Sequence, residues 1–212
     1  MVRPEWLVDE AVKIGVNMLC ITDHDTVEGS LIAKKYAEAK YPGLINIITG
    51  AEYYTEWGDI IVLGIKEEIQ FINASDLILK SRKIGAVVLL PHPYKGHKEI
   101  EQLASLVDGI EVFNGRCDEE DNIKAMDLAN RWNKFKYVAS DSHFKSNFTD
   151  CINISHAIQI DDIKSILENI ILDESKTTYA SKKSIHLSQA IKGMKQKNIK
   201  LFYNSLIQYV KS

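Results

Sequence analysis

Short apolar runs in this chain end, again and again, in histidine or a carboxylate. His24 and Asp25 follow "VNMLCIT"; Glu52 closes "INIITGAE"; His92 closes "AVVLLPH"; Asn114 follows "IEVF"; Asp141 and His143 close "KYVASDSH". Imidazole and carboxylate together suit Zn, Mn, Fe or Ni, and no thiolate stands at these run ends. A carboxylate shared by two divalent ions holds them about 3.5–4 Å apart and lowers the pKa of bound water to about 7. The decapeptide "CITDHDTVEG" packs two acids around His24 directly after an apolar segment. Buried charge of that density is costly without a counter-charge, and a metal supplies one. A single histidine is most often structural, but His24, His92 and His143 obey one rule of position. His97, His156 and His186 do not, and are read as surface or capping residues.

The elements that must carry these residues alternate. Residues 16–22 read as a buried strand, and 27–41 as a helix ended by Pro42-Gly43. Residues 45–54 and 59–65 are strand-like, and 75–85 is a helix with Ser75 as N-cap and Gly85 as C-cap. Residues 86–93 form the clearest buried strand. "HKEIEQLASLV", "DGIEVFN" and "DNIKAMDLANRWNK" follow as helix, strand and helix, and 136–143 is a further strand. Such alternation predicts a parallel α/β sheet or barrel, in which strand carboxyl ends converge on one face. Residues 161–212 hold helical patterns and little that is chemical.

Composition bounds the class. The 212 residues, 45% hydrophobic and 26% charged, suffice for one sizeable core. No run of 18 apolar residues predicts a membrane span, and "MVRPEWLVDEAVK" has no signal-peptide core. Cys20, Cys117 and Cys151 lack metal-type spacing; Cys20 is expected in the core and a reduced, cytoplasmic setting is the simplest expectation. From Lys176 to Ser212 there are eight lysines and no acid, leaving residues 1–175 with a net charge of −11. That tail is either a solvated helix surface or an attractor of a phosphate-bearing partner. Its aromatics in "LFYNSLIQY" fit an amphipathic helix packed on the body.

"ITDHDTVEG", "TGAEYY", "LLPHPY", "GIEVFNGR" and "ASDSH" together resemble, in order and spacing, the PHP (polymerase and histidinol phosphatase) domain family over about residues 5–150. The resemblance implies a distorted (β/α)7 barrel over residues 1–160, with a lysine-rich helical extension over 161–212. It also implies up to three divalent ions (Zn, Mn or Fe) at the strand ends, and hydrolysis of phosphate esters. Carried onto this chain, it implies Glu52 as the bridging carboxylate and His92 as a ligand of a second metal. His24 and His143 become ligands of a third, and Asp141 a ligand of the first that also handles the proton of the nucleophilic water. Asp59 stands near a position where many members carry histidine, and is either a ligand or an exposed turn residue after Gly58. Asp25 and Glu111 are read as groups that orient ligands. Asn114 and Arg116 are candidates for gripping substrate oxygens, Arg116 being otherwise a surface residue.

One departure stands out. Members open with a strand reading Asp-Leu-His-x-His, whereas this chain begins "MVRPEWLVDEAVKIG", which resembles the helix after that strand. The expectation is a fragment, or a barrel that has lost its first strand, with weakened metal binding. The leading function is a metal-dependent phosphoesterase acting on a phosphorylated metabolite or nucleotide, nucleic acid being weakly supported. The alternative is a non-catalytic module that keeps the fold for binding or regulation. Oligomeric state is left open.

Overall fold

The computed structural model describes residues 2–156 and 162–212. The expected boundary at residues 160 and 161 lies outside the described residues. Helix α1 (Pro4–Lys13) leads to β1 (Met18–Ile21), α2 (Glu28–Lys40) and a hairpin of β2 (Asn46–Thr55) and β3 (Gly58–Leu63). Then come α3 (Ala74–Lys83), β4 (Val87–Leu90), α4 (Ile100–Leu106), β5 (Gly109–Asn114), α5 (Glu119–Arg131) and β6 (Phe135–Ala139). The short strands β7 (Ile154–Ser155) and β8 (Ile170–Ile171) pair antiparallel on either side of α6 (Ile163–Glu168), and α7 (Lys182–Lys195) and α8 (Ile199–Lys211) follow.

Strands β1 to β6 form one mixed sheet in chain order. β1 and β2 are parallel, β3 runs antiparallel to both neighbours, and β4, β5 and β6 are parallel. The helices α2, α4 and α5 make the crossovers that parallel neighbours require. The sheet is therefore not all parallel, because the β2–β3 hairpin reverses the chain within it.

Strand periodicity divides the two faces. Ala51, Tyr53, Ile60, Val62, Val88, Leu90, Ile110, Val112 and Val138 point outward into the core beneath α3, α4 and α5. Ile48, Ile61, Leu63, Val87, Leu89 and Tyr137 point inward and meet Leu167, with Ile163 and Ile166 alongside. Strands as far apart as β2 and β6 thus share one apolar cluster, which requires the sheet to curl around α6. Each fully buried Leu or Ile here contributes about 1.5–3 kcal/mol. α6 fills the inner face near the amino ends of the parallel strands, so the polar residues of the inner face gather at the other end.

Three local expectations change. The cap of α3 is Asn73, whose side chain accepts from the Asp76 amide at 2.9 Å; "NASD" offers two capping residues, and the helix starts at Ala74, so Ser75 falls inside it. Strand β1 is only partly buried and Cys20 is exposed. It lies at the sheet edge, with a strand neighbour on one side only among the described residues. Strand β6 stops at Ala139, short of 143, because Asp141 adopts φ +47°. Helix α8 packs against α7 and leaves Ile199, Tyr203, Ile207 and Val210 exposed. Among the described residues no helix is long and apolar enough to cross a membrane.

Candidate metal centre

The loop after β1 is zipped onto β2. The Asp25 amide donates to the Glu52 carbonyl at 2.9 Å, and the Glu52 amide donates to the Asp23 carbonyl at 3.1 Å. This brings His24 beside Glu52, with Nδ1 3.9 Å from Oε2. Across the hairpin, Asp59 opposes Tyr54, two positions along from Glu52 and on the same face. One ligand atom each from His24, Glu52 and Asp59 lies within 4.8 Å of the others, and this is the sole group of three or more such residues among those described. His92 borders this group: Nε2 lies 3.2 Å from Glu52 Oε1 and 3.9 Å from Asp59 Oδ2.

Supporting groups fix these positions. The His92 amide donates to Glu111 Oε2 at 2.6 Å, and Asn114 Nδ2 donates to the same oxygen at 3.0 Å. Asn114 Oδ1 accepts from the Arg116 amide at 2.8 Å, so both polar ends of the buried Asn114 side chain are committed inward. Asp25 Oδ1 accepts from the Tyr54 amide at 3.2 Å. Asp25, His92 and Asp141 all have positive φ (56°, 27° and 47°), a conformation that costs about 1–3 kcal/mol per non-glycine residue and gathers at functional sites.

Burial works against a charged His92, but the hydrogen bond to Glu52 and the carboxylates of Glu111, Glu52 and Asp141 outweigh it and raise its pKa to about 9. Burial raises Asp59, and Glu52 adds to it. Burial pushes Glu111 up to about 7, against the pull of His92 and Asn114. A proton on His92 stands in for a cation. Its Nδ1 is buried with no partner. The carboxylates of Glu52 and Asp59 with the His24 imidazole form a donor set suited to a borderline divalent ion, and the His92 imidazole stands beside both carboxylates.

Asp141 and His143 form an adjoining corner. Arg116 Nη1 lies 3.4 Å from Asp141 Oδ1 and contacts both ring nitrogens of His143. Arg116 is buried, not a surface residue, and its Nη2 donates to Ser188 Oγ of α7 at 2.5 Å. Burial, with Arg116 beside it, holds His143 below the usual histidine range. Lys95 Nζ lies 3.8 Å from Asp141 Oδ2.

His97, expected at the surface, is half-buried against the site. Its Nε2 donates to the Asp59 carbonyl at 2.8 Å, and its ring lies 5.4 Å from that of His92. His156 is exposed and His186 half-buried on α7. Lys95, His97 and Ser188 escape the pattern of strand ends, since Lys95 and His97 sit in the turn after "LLPHPY" and Ser188 is brought in from 72 residues away.

No family model matches the chain. A Methanocaldococcus jannaschii protein, MJ1587, itself uncharacterized, is 31% identical over 116 residues, covering 53% of this chain and 66% of its own length. Two solved structures share the fold, each with a TM-score of 0.56. One is a two-domain Bacteroides vulgatus protein containing a predicted PHP-like metal-dependent phosphoesterase (22% identity, 68% of this chain, 48% of that one). The other is a Chromobacterium violaceum amidohydrolase with bound sulfate and no metal (17% identity, 67% of this chain, 82% of that one). The chain thus spans less than two thirds of the curated relative and about half of the two-domain protein. Its fold is similar to that of these two solved structures.

Proposed function

We propose that this chain is a metal-dependent phosphoesterase. The supporting observation is the convergence of His24, Glu52, Asp59 and His92 at the carboxyl-end face of a PHP-like fold, with cationic side chains beside them. His24, Glu52, Asp59 and His92 hold a divalent metal. When bound, that ion supplies Lewis acidity and a water of lowered pKa. Glu111 and Asn114 keep the His92 backbone in place. Asp141 would accept a hydrogen bond from the attacking water, and Arg116 holds that carboxylate in place. The substrate is a phosphomonoester or phosphodiester of a small metabolite or nucleotide. The six strands are read as part of a distorted (β/α)7 barrel.

The test is elemental analysis of the purified protein followed by hydrolysis of a generic aryl phosphate. At least one equivalent of metal is expected, with activity abolished by chelation and restored by Zn, Mn or Fe. A metal-loaded protein inert towards aryl phosphates and nucleotides would reject this function.

A further inference from the structure

We infer that the centre takes a single metal ion, and that a second cation position is filled by the protein itself, by Arg116 and Lys95, with Lys95 receiving the phosphate of the substrate. This rests on the phosphoesterase reading above and specifies how that site is charged.

His24, Glu52 and Asp59 already form one donor set, and His92 borders it through Glu52 and Asp59. The remaining groups of ligand type, Asp141 and His143, are engaged elsewhere. Arg116 Nη1 meets Asp141 Oδ1 and the His143 ring, and Lys95 Nζ approaches the other carboxylate oxygen, so two cations flank one carboxylate. The Arg116 side chain is only 5% exposed, and its guanidinium carries a positive charge. Its Nη2 is tied to Ser188, whose Oγ also donates to the Ile185 carbonyl within α7. A second divalent ion at Asp141 and His143 would have to sit against a buried guanidinium that helix α7 holds in place. Like charges that close repel strongly in a partly buried setting.

Lys95 differs from Arg116 in one respect that matters. Its side chain is 36% exposed, and its other contact is a weak one to the Arg116 carbonyl at 3.4 Å. The turn that carries it starts at His92, whose carbonyl accepts from the Lys95 amide at 2.9 Å. One short turn therefore presents a metal ligand and a free-reaching ammonium to the same space. An anion on the metal gains a second positive contact there, and an ammonium is a strong point donor to phosphate.

The test uses the full chain loaded with excess Zn and dialysed, with inorganic phosphate as the probe. Elemental analysis should give one equivalent, and calorimetry should show that Lys95→Met weakens phosphate binding at least tenfold with the metal content still at one. Arg116→Met should let the Asp141 corner accept a second ion, raising the content towards two; Lys95→Met serves alone if that variant does not fold. Two or more equivalents in the unaltered chain, or phosphate affinity unmoved by Lys95→Met, would overturn the inference and leave the phosphoesterase function standing. No metal at all would overturn both.

Discussion

His97 Nε2 donates to the backbone carbonyl of Asp59 over 2.8 Å, which ties the start of β3 to the turn that follows His92. Two metal ligands from different strands are thereby held by one imidazole that is not itself a ligand. Replacing such an outer partner commonly costs 10–100-fold in metal affinity. His97→Phe, which keeps the ring volume, should weaken Zn binding by about tenfold, as read by competition with a chromogenic chelator. Unchanged affinity would mean that β2 alone fixes Asp59.

The same ring explains Gly58. That residue has φ +121°, and a Cβ there would collide with the His97 imidazole. Gly58→Ala should destabilise the protein by about 1–3 kcal/mol from backbone strain alone. Urea unfolding measures it. In the His97→Ala background the cost should shrink, because only the φ strain remains.

Glu52 approaches both His24 and His92, at 3.9 Å and 3.2 Å. Glu52→Gln should leave the fold intact and reduce metal content to a small fraction of an equivalent. A ligand that binds only the folded state stabilises it by about 2.7 kcal/mol at 100 times its Kd. Added Zn should therefore raise the Tm of the unaltered protein and leave that of Glu52→Gln unmoved.

The metal-free protein should lose stability as pH rises above neutrality. His92 has a folded pKa of about 9, above its unfolded value near 6.5. Its contribution is complete below the unfolded value and is lost as pH climbs through about 9, since the folded state binds the extra proton. Glu111, raised to about 7, acts in the same direction at lower pH. The lowered His97 and His143 act oppositely, but only below their unfolded pKa. Unfolding of chelated protein should show a lower midpoint at pH 9 than at pH 7, and bound metal should flatten the difference. A chelated protein equally stable at both would show that Glu52 and His92 are not coupled.

Much of this was legible in the sequence because strand ends announce themselves. "AVVLLPH" and "INIITGAE" are apolar runs that stop at a polar residue; His92 lies just beyond β4, whereas Glu52 lies within β2, which runs on to Thr55. Asp59 was ambiguous from sequence because it follows a glycine turn; the hairpin register puts it on the face of Glu52. Arg116 could not be placed, since "NGR" reads as a surface turn and its burial depends on Ser188 from a distant helix. Lys95 and His97 belong to a turn whose path is set by contacts with Trp57 and Asp59 on the hairpin, not by local pattern. The burial of Cys20 was overestimated because an edge strand shows the same apolar run as a central one.

The β2–β3 hairpin also orders events in time. Glu52 and Asp59 are neighbours across a tight turn, whereas His24 and His92 arrive by crossovers. Short loops close at less entropic cost than long ones, and a hairpin forms in about 1–10 μs. Two carboxylate donors are thus brought together by the most local contact in the sheet. A chain folding in the presence of metal meets a two-carboxylate foothold before the parallel strands have joined, so metal should speed refolding as well as stabilise its product.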